Sequence, residues 1–342
     1  MFYVKIVKVE DAVGMVLAHD LTKIVPGVFK GAAFRKGHII RPEDIEELKD
    51  AGKYNVYVVT LDESQVHENE AGRRVAAAAA SDGLLLDEPV EGKVKIKAAA
   101  RGLLQIDIEA LYAVNRLGGI ALVSMHCNSV VEKDQVIAAA KIIPLTIERE
   151  AVEKAEQICG ENKPVISVKP FSPLKTGIIV TGSEVFYGRI KDKFGIMIQE
   201  KIRHFGGEPL EINYSPDDPD YIGRLILEAV EKGAEIVLIS GGMAVDADDV
   251  TPKAIEKAAT EVVAYGMPLL PGAMCMIAYR NGIPIVGVPA CAMYHKTTVL
   301  DVIYPRLLAG EKITEEAIVA LAHGGLCLGC SECRYPVCPF GK

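Results

Sequence analysis

Residues 177–184, Gly-Ile-Ile-Val-Thr-Gly-Ser-Glu, run from an apolar strand directly into a glycine-containing turn. The same arrangement returns at residues 236–243, Ile-Val-Leu-Ile-Ser-Gly-Gly-Met. Between them, a third predicted strand at residues 210–214 ends in Ser-Pro-Asp-Asp at residues 215–218. Because the carboxyl ends of parallel strands meet at one edge of a sheet, we expect all three turns at that edge, where open α/β folds bind ligands.

Segments of helical periodicity separate these strands. Apolar residues recur at helical spacing over residues 198–205 and 222–230. Arg280-Asn281-Gly282 predicts a hairpin, and residues 297–308 predict a closing helix. Strands that alternate with helices in this way are typical of βαβ units with right-handed crossovers. The predicted fold is therefore α/β, with a three-layer, mostly parallel sheet that is preceded by smaller α+β regions and followed by a cysteine-rich tail.

A chain of 342 residues is long enough for several domains. We predict four parts: an N-terminal α+β unit at 1–60, a middle α+β region at 61–173, the α/β domain at 174–310 and the tail at 311–342. Pro26-Gly27 predicts a turn in the first part. The prolines that predict a linker at the end of the middle region are Pro164, Pro170 and Pro173.

The composition restricts the class of protein. Half of the residues are hydrophobic, a quarter are charged and the net charge is -8. A negative chain argues against nonspecific nucleic-acid binding, which depends on a cationic face. Residues 1–5 show no secretory signal, and no apolar run reaches the length of a membrane span. We therefore expect a cytoplasmic protein with neither a nucleic acid nor a membrane as partner.

The glycine turns suggest an anionic ligand. A glycine after a parallel strand lets backbone N–H groups approach an anion, and the following helix adds its positive end. Two such turns at one sheet edge favour a ligand that carries phosphate. Either turn alone is better explained as a plain tight turn that needs no ligand.

Acidic side chains follow the same strands. Glu184, Asp217, Asp218 and Asp249 could converge at the sheet edge and bind Mg²⁺. Alternatively, the acids at 217 and 218 cap one helix, and those at 246–249 stabilise the start of the next. Both interpretations stay open at this point.

Residues 177–308 resemble the molybdopterin-binding domain that molybdopterin adenylyltransferases share with molybdopterin molybdotransferases. The matching motifs, in chain order, are Thr181-Gly182-x-Glu184, Pro216-Asp217-Asp218, Ser240-Gly241-Gly242, Asp249-Val250-Thr251-Pro252, Pro271-Gly272 and Gly287-Val288-Pro289. Their order and spacing hold over about 130 residues, which is more specific than any single motif. Residues 11–20 and 37–59 are also similar to the opening segment of the molybdotransferase branch.

The resemblance implies a reaction. In the family, adenylylated molybdopterin receives molybdate at its dithiolene sulfurs, AMP is released with the help of Mg²⁺, and the protein is a homo-oligomer. The resemblance assigns catalysis to Asp217 and Asp249, assisted by Glu184. It assigns molybdopterin binding to Thr181, Gly182, Ser183, Asp218, Ser240, Gly241, Gly242, Met243, Thr251, Pro271, Gly272 and Pro289. The alternative is a non-catalytic carrier or insertion chaperone that delivers the cofactor to a molybdoenzyme.

The chain departs from the family pattern at several positions. The acid that usually follows Thr-Gly is Ser183, and the usual Pro-Gly-Lys-Pro is Pro271-Gly272-Ala273-Met274. The second change removes a cation suited to molybdate or phosphate. Residues 241–246, 287–292 and 31–34 likewise differ from the family's Gly-Gly-x-Ser-x-Gly, Gly-Leu-Pro-Gly-Asn-Pro and Asp-Gly-Tyr-Ala segments. These changes favour the carrier, whereas the two retained aspartates favour the enzyme.

The tail holds four of the eight cysteines, Cys327, Cys330, Cys333 and Cys338. In a chain without a secretory signal, such a cluster favours a metal site over a disulfide framework. The spacing resembles the bacterial ferredoxin run that ends in Cys-Pro, with one extra residue before the last cysteine. Four thiolates at this spacing could bind one Zn²⁺ or an iron–sulfur cluster, and the sequence favours neither.

Overall fold

The computed structural model describes residues 2–25, 29–61, 64–161 and 164–342. The predicted turn at Pro26-Gly27 lies outside these residues. The chain divides into two compact units: residues 1–100, 104–126 and 131–168 form the first, and residues 101–103, 127–130 and 169–342 form the second. Among the helices that the structure describes, none has the length and apolarity that crossing a membrane requires.

The chain up to residue 170 is rich in short strands. They are β1 Phe2–Lys8, β2 Val16–Leu17, β3 Leu21–Val25, β4 Phe29–Phe34, β5 Asn55–Leu61, β6 Gln65–His67, β7 Leu84–Leu86, β8 Lys93–Ala98, β9 Gly102–Ile106, β10 Ile120–Ser124, β11 Val130–Val131, β12 Val136–Ile142, β13 Thr146–Glu148 and β14 Ile166–Pro170. The helices are α1 Asp44–Asp50, α2 Glu68–Ala79, α3 Ile108–Arg116 and α4 Arg149–Gly160.

Two hydrophobic clusters lie in the first unit. One is built by residues between 7 and 58, around the antiparallel sheet β1-β5-β2. The other is built by residues between 66 and 166, around the sheet β10-β12-β8-β7 and helix α2. Strand β8 alternates exposed lysines with buried Val94 and Ile96, as its sequence predicts for a half-exposed strand.

The second unit alternates strands and helices. Its strands are β15 Lys175–Thr181, β16 Glu208–Ser215, β17 Ile236–Ser240, β18 Glu261–Tyr265, β19 Met276–Arg280 and β20 Ile283–Val288. Its helices are α5 Ser183–Phe186, α6 Phe194–Phe205, α7 Pro219–Glu231, α8 Thr251–Ala258, α9 Val299–Leu308 and α10 Glu315–Ala320.

These strands form one six-stranded sheet in the order β16-β15-β17-β20-β19-β18. The first four strands are parallel, and β19 and β18 add antiparallel neighbours. Ile178 and Val180 face a core shared with α6 and α9, whereas Ile179 faces a core shared with α7 and α8. Because alternate residues bury opposite faces, strands β15 and β17 are almost continuously apolar.

The structure differs from the sequence prediction at two places. Strand β18 was not predicted, because residues 261–265 carry a glutamate and lie at the sheet edge, where burial is low. The segment predicted as a proline-rich linker is partly a strand, because it contains β14. Pro170 ends that strand, and the loss of its N–H is compatible with a strand terminus.

The tail packs onto the second unit. Phe340 is 3% exposed and lies in the same core as helix α9. Tyr335 donates its hydroxyl hydrogen to the carbonyl oxygen of Asp301 at 2.9 Å, and the N–H of Cys327 donates to the carbonyl oxygen of Leu270 at 2.8 Å. The cysteine segment is therefore held to the rest of the second unit near both of its ends.

Candidate functional site

The turn after β15 starts the candidate site. Gly182 has a φ of +139°, a conformation that L side chains rarely adopt, and its N–H donates to the carbonyl oxygen of Ser215 at 3.1 Å. A Cβ at this glycine would lie 2.9 Å from Oε1 of Glu184. The Glu184 carboxylate is therefore folded back over the turn, and its side chain is otherwise exposed.

The turn after β16 is joined to the first turn by two hydrogen bonds. The N–H of Ser183 donates to Oδ2 of Asp217 at 2.8 Å, and the N–H of Asp217 donates to Oγ of Ser183 at 3.2 Å. Asp217 is half-buried. Ser183, which replaces the family's acid, thereby fixes the carboxylate that the family pattern retains.

Buried hydroxyl groups connect the first turn to the turn after β17. Thr181 donates to the carbonyl oxygen of Ser240 at 3.1 Å, and its Oγ1 lies 3.2 Å from Oγ1 of Thr251. All three residues are at most 4% exposed. All three side chains are buried, and the hydroxyl groups of Thr181 and Thr251 connect the turns. Their assignment to ligand binding, which the resemblance implies, stays a prediction. Ser240 Oγ is buried without a partner among the described residues.

The second glycine turn has no room for side chains. Gly241 has a φ of +92°, and a Cβ there would collide with the carbonyl oxygen of Thr181. Gly242 has a φ of +55°, and a Cβ there would lie 2.8 Å from Oγ1 of Thr251. Glycine is therefore required here by the close approach of two turns, in addition to any role toward a ligand.

The acidic loop leads from Gly242 into helix α8. Oδ2 of Asp249 accepts a hydrogen bond from the N–H of Asp246 at 3.0 Å, and residues 244–248 are exposed. Tyr265 donates to the carbonyl oxygens of Met243 and Ala244, at 2.8 and 3.2 Å. Burial, followed by the negative charge of Asp249, raises the pKa of Tyr265. Sequence reasoning missed Tyr265 because it lies on the unpredicted strand β18.

Two other predicted ligand contacts have structural roles. Asp218 caps helix α7, since its Oδ1 accepts hydrogen bonds from the N–H groups of Asp220 and Tyr221, both at 2.9 Å. The Met243 side chain is 3% exposed and packs against Gly287 in the core. Only the backbone of Met243 is left for a ligand.

The remaining predicted positions lie after β18 and β20. Gly272 has a φ of +133° and lies against Val299, where a Cβ would be 2.5 Å from the valine Cβ. Pro271 is half-buried, whereas Pro289 is buried at the start of a short 3₁₀ helix. These residues shape the backbone beside helix α9.

The carboxylates do not form a ready-made metal site. Among the residues that the structure describes, no three His, Cys, Asp or Glu side chains are grouped so that they could hold a metal ion. Asp217 and Asp249 nevertheless share one feature: in each, one oxygen is fixed by a backbone N–H. No described protein group donates a hydrogen bond to the other oxygen of either side chain, so both can accept a proton or bind a cation.

The four tail cysteines line one cavity of about 520 Å³, together with His295, Lys296 and Thr297. Oγ1 of Thr297 lies 3.1 Å from Sγ of Cys333. This hydrogen bond, with the N–H of Tyr335, lowers the pKa of Cys333. The structure describes all of residues 327–338, and within them the thiols share the cavity without being grouped so that three of them could hold a metal ion.

With this geometry, residues 177–309 match a family model described as a "probable molybdopterin binding domain". This segment is a divergent member of that domain family. The resemblance inferred from the motifs is thereby confirmed for the molybdopterin-binding domain. Residues 6–60 match the model of a domain of unknown function, and their similarity to the molybdotransferase opening segment stays a prediction.

The curated relatives are similar over a short stretch. The chain is 31% identical over 83 residues to the CinA-like protein of Mycobacterium tuberculosis, which is 24% of this chain and 19% of that protein. It is 35% identical over 77 residues to the CinA-like protein of Mycobacterium sp. strain JLS, which is 22% of this chain and 18% of that protein. The chain thus spans less than a fifth of the relatives it matches.

Two solved structures are similar to this chain at low identity. The molybdopterin biosynthesis enzyme MoaB of Thermus thermophilus is 22% identical with a TM-score of 0.36, covering 40% of this chain and 98% of that one. A molybdenum cofactor biosynthesis protein of Pyrococcus furiosus is 16% identical with a TM-score of 0.28, covering 91% of this chain and 65% of that one.

Proposed function

We propose that the protein acts in molybdenum cofactor biosynthesis, where it binds molybdopterin or its adenylylated form and inserts molybdate with release of AMP. The observation that supports this most is that the carboxylates of Asp217 and Asp249 have the same hydrogen-bonding pattern. Each follows a parallel strand, and each has one oxygen fixed by a backbone N–H and one that no described donor reaches. This arrangement lies in the segment that matches the molybdopterin-binding family.

Different residues of the chain would bind the pterin, orient the substrate and assist the reaction. The backbone around Gly182, Gly241 and Gly242 would hold the pterin and its phosphate, since both glycine turns lie at the edge where parallel strands end. Asp217 and Asp249 would orient the phosphate-bearing end of the substrate. Glu184 would assist from above the first turn.

Mg²⁺ fits two of these residues. The ion is usually held by one or two carboxylates together with substrate phosphates, so a cluster of three protein ligands is not required. The oxygens of Asp217 and Asp249 that lack a protein donor would hold it. When bound, Mg²⁺ would neutralise the charge on the phosphates as AMP leaves.

The test is the substitution Asp249→Asn, with Asp248→Asn as the matched control. Asp248 is an exposed neighbour without a described partner. Molybdate insertion and AMP release from adenylylated molybdopterin are measured with each purified variant. The proposal requires the Asp249 variant to lose both activities with its fold intact, while the control keeps them. Equal activity of the two variants would refute the assignment.

The alternative is a non-catalytic carrier that delivers the cofactor to a molybdoenzyme. Ala273 favours it, because the family pattern has a lysine there that could hold molybdate or phosphate. A carrier would bind molybdopterin with the same turns but would release no AMP. Wild-type protein that binds molybdopterin, yet fails to restore a strain lacking its molybdotransferase, would favour the carrier over the enzyme.

We also propose that the tail binds one metal centre, either Zn²⁺ or an iron–sulfur cluster. All four thiols line the same cavity, and Cys330 and Cys333 are exposed on a segment that begins at Gly329, whose φ is +62°. Rotation of this segment would bring them toward Cys327 and Cys338. The test is anaerobic purification of wild-type protein and of the variants Cys330→Ser and Cys333→Ser, followed by metal analysis and visible absorbance. Each variant should contain less bound metal than wild type. Metal-free wild-type protein under these conditions would contradict it.

Three further proposals follow from the family. The protein would work in the cytoplasm, assemble as a homo-oligomer and hand its product to a molybdoenzyme client. Analytical ultracentrifugation tests the assembly, and capture of a molybdoenzyme by the tagged chain tests the client.

A further inference from the structure

A second cavity lies in the first unit and has a volume of about 540 Å³. Its polar lining comes from His19, Asp20, Lys36, Glu68, Asn69 and Glu91. Its apolar lining comes from Tyr57, Pro89, Val90, Ile143, Pro144 and Leu145. The volume lies within the range of small-molecule sites, and the lining is divided between polar and apolar residues.

Glu68 is the unusual member of this lining. Its side chain is 10% exposed, and its Oε2 lies 3.6 Å from Nζ of Lys141, longer than a hydrogen bond. Among the described residues, the ammonium of Lys141 is the partner of this carboxylate, and the long distance makes the pair weak. Burial raises the pKa of Glu68 against the opposing charge of Lys141. A largely buried carboxylate with one distant cationic partner keeps acceptor capacity, so it favours a ligand that supplies N–H groups.

The backbone makes room for this carboxylate. Gly92 has a φ of +71°, and a Cβ there would lie 2.8 Å from Oε2 of Glu68. The N–H of Gly92 donates to Oδ1 of Asn69 at 2.7 Å, which fixes the glycine beside the start of helix α2. The shape of the backbone at Gly92 thus helps to position the carboxylate that Lys141 approaches from 3.6 Å.

Lys36 supplies the complementary group. Its Nζ donates to Nδ1 of His67 at 2.8 Å, and the Nε2 of that ring donates to the carbonyl oxygen of Ala18 at 2.8 Å. Burial lowers the pKa of both Lys36 and His67. Since an amine has more than one N–H, Lys36 retains a donor for an oxygen acceptor in the cavity that it lines with Glu68.

We propose that this cavity binds the N–H edge of a 2-amino-4-oxopyrimidine ring, the ring shared by guanine and pterins. That edge offers two adjacent N–H donors beside a carbonyl oxygen. The donors suit the two oxygens of Glu68, and the carbonyl suits Lys36. An adenine edge has its donor and acceptor in the opposite order and leaves Glu68 with one donor. The site is independent of the function proposed for residues 177–309.

The full-length protein is titrated with two ligands. Pterin binding is measured from the fluorescence of the pterin, and guanosine binding is measured by calorimetry. Lumazine, which has an oxygen in place of the 2-amino group, and adenosine are the ligand controls. Glu68→Gln should weaken binding of pterin roughly tenfold or more, because it replaces a charged acceptor by an amide. Lys36→Met should also weaken binding of pterin. Because this variant leaves the Glu68–Lys141 pair intact, it tests the site even if Glu68→Gln does not fold.

Two variants serve as controls. Glu70→Gln changes an exposed glutamate of the same helix and should bind like wild type. Asp248→Asn changes an exposed aspartate of the second unit that belongs to neither proposed site, and it should also bind pterin and guanosine like wild type. Lack of saturable binding to wild-type protein, equal binding of lumazine or adenosine, or undiminished binding by folded Glu68→Gln would each overturn the proposal.

Discussion

Ser183 and Asp217 exchange hydrogen bonds across two turns: the N–H of Ser183 donates to Oδ2 of Asp217 at 2.8 Å, and the N–H of Asp217 donates to Oγ of Ser183 at 3.2 Å. The pair joins the turn after β15 to the turn after β16. Ser183 departs from the family sequence, yet it holds the retained aspartate in place. The departure therefore preserves the geometry of the carboxylate.

The two members of this pair should respond differently to substitution. Asp217→Asn keeps an oxygen that can accept from Ser183, so we expect the free energy of unfolding to change by about 1 kcal/mol or less. Removal of its charge should lower the rate of AMP release by roughly 100-fold. Ser183→Ala loses one acceptor, and should lower the free energy of unfolding by about 1 kcal/mol while keeping most activity. Urea denaturation and an AMP-release assay measure both, and the reverse order of activities would contradict the assignment.

Gly241 offers a test of the close approach between the glycine turns. Gly241→Ala would place a Cβ against the carbonyl oxygen of Thr181, at a φ of +92°. Gly233 is a matched control, since its φ is +89° and a Cβ added there would have no atom within 4 Å. Gly233→Ala should lower the free energy of unfolding by about 1 kcal/mol, from backbone strain alone. Gly241→Ala should lower it by about 3 kcal/mol or more, because the turns must separate.

Equal losses for the two glycine variants in urea denaturation would mean that the turns have room to move apart. In that case the bracing by Thr181 would not be rigid.

The tail should contribute to the stability of the second unit. Phe340 is 3% exposed in the core beside α9, whereas Val337 is 78% exposed. Phe340→Ala should lower the free energy of unfolding by about 3–5 kcal/mol, from lost burial and the cavity left behind. Val337→Ala should change it by less than about 0.5 kcal/mol. A Phe340 variant as stable as wild type in chemical denaturation would show that the tail is not part of the core.

The ion pair between α2 and α4 predicts a pH dependence in the first unit. Arg74 binds Glu156 through Nε and Nη2, at 2.8 and 2.6 Å. The hydrogen bond to Arg74 lowers the pKa of Glu156. Because the pKa is lower in the folded state, the pair's contribution is complete above the unfolded pKa of the carboxyl group and is lost as pH falls through the folded one.

Glu156→Gln should therefore lower the free energy of unfolding by about 0.5–1 kcal/mol near pH 7, since the pair is partly exposed. The difference from wild type should shrink toward zero as pH falls below the lowered pKa of Glu156. Thermal or urea unfolding at several pH values measures it, and a difference that grows on acidification would contradict the expectation.

The sequence predicts the second unit better than the first. Strands β15 and β17 are buried on both faces, so their apolar runs are unambiguous, and Arg280-Asn281-Gly282 specifies a hairpin that the structure contains. Strand β18 lies at the sheet edge with little burial, so no apolar pattern marks it. Tyr265, which contacts the acidic loop, could not be assigned without that strand.

Side-chain roles within the site were harder to predict than its position. Thr181 and Thr251 match a binding motif, but hydroxyl groups of small polar residues can serve a ligand or a neighbouring turn equally well, and here they are buried together. Glu68 gave no signal, because its distinction depends on the distant residues Gly92 and Lys141. Burial and the distance to a cationic partner are properties of tertiary structure.

Binding of molybdopterin to residues 177–309 is tested most directly by hydrogen–deuterium exchange of the full-length protein with and without the purified ligand under anaerobic conditions. We predict slower exchange in the turns at residues 181–184 and 241–249, because a bound ligand would cover both turns and restrict their opening. Unchanged exchange in both turns at saturating molybdopterin would contradict the proposed site.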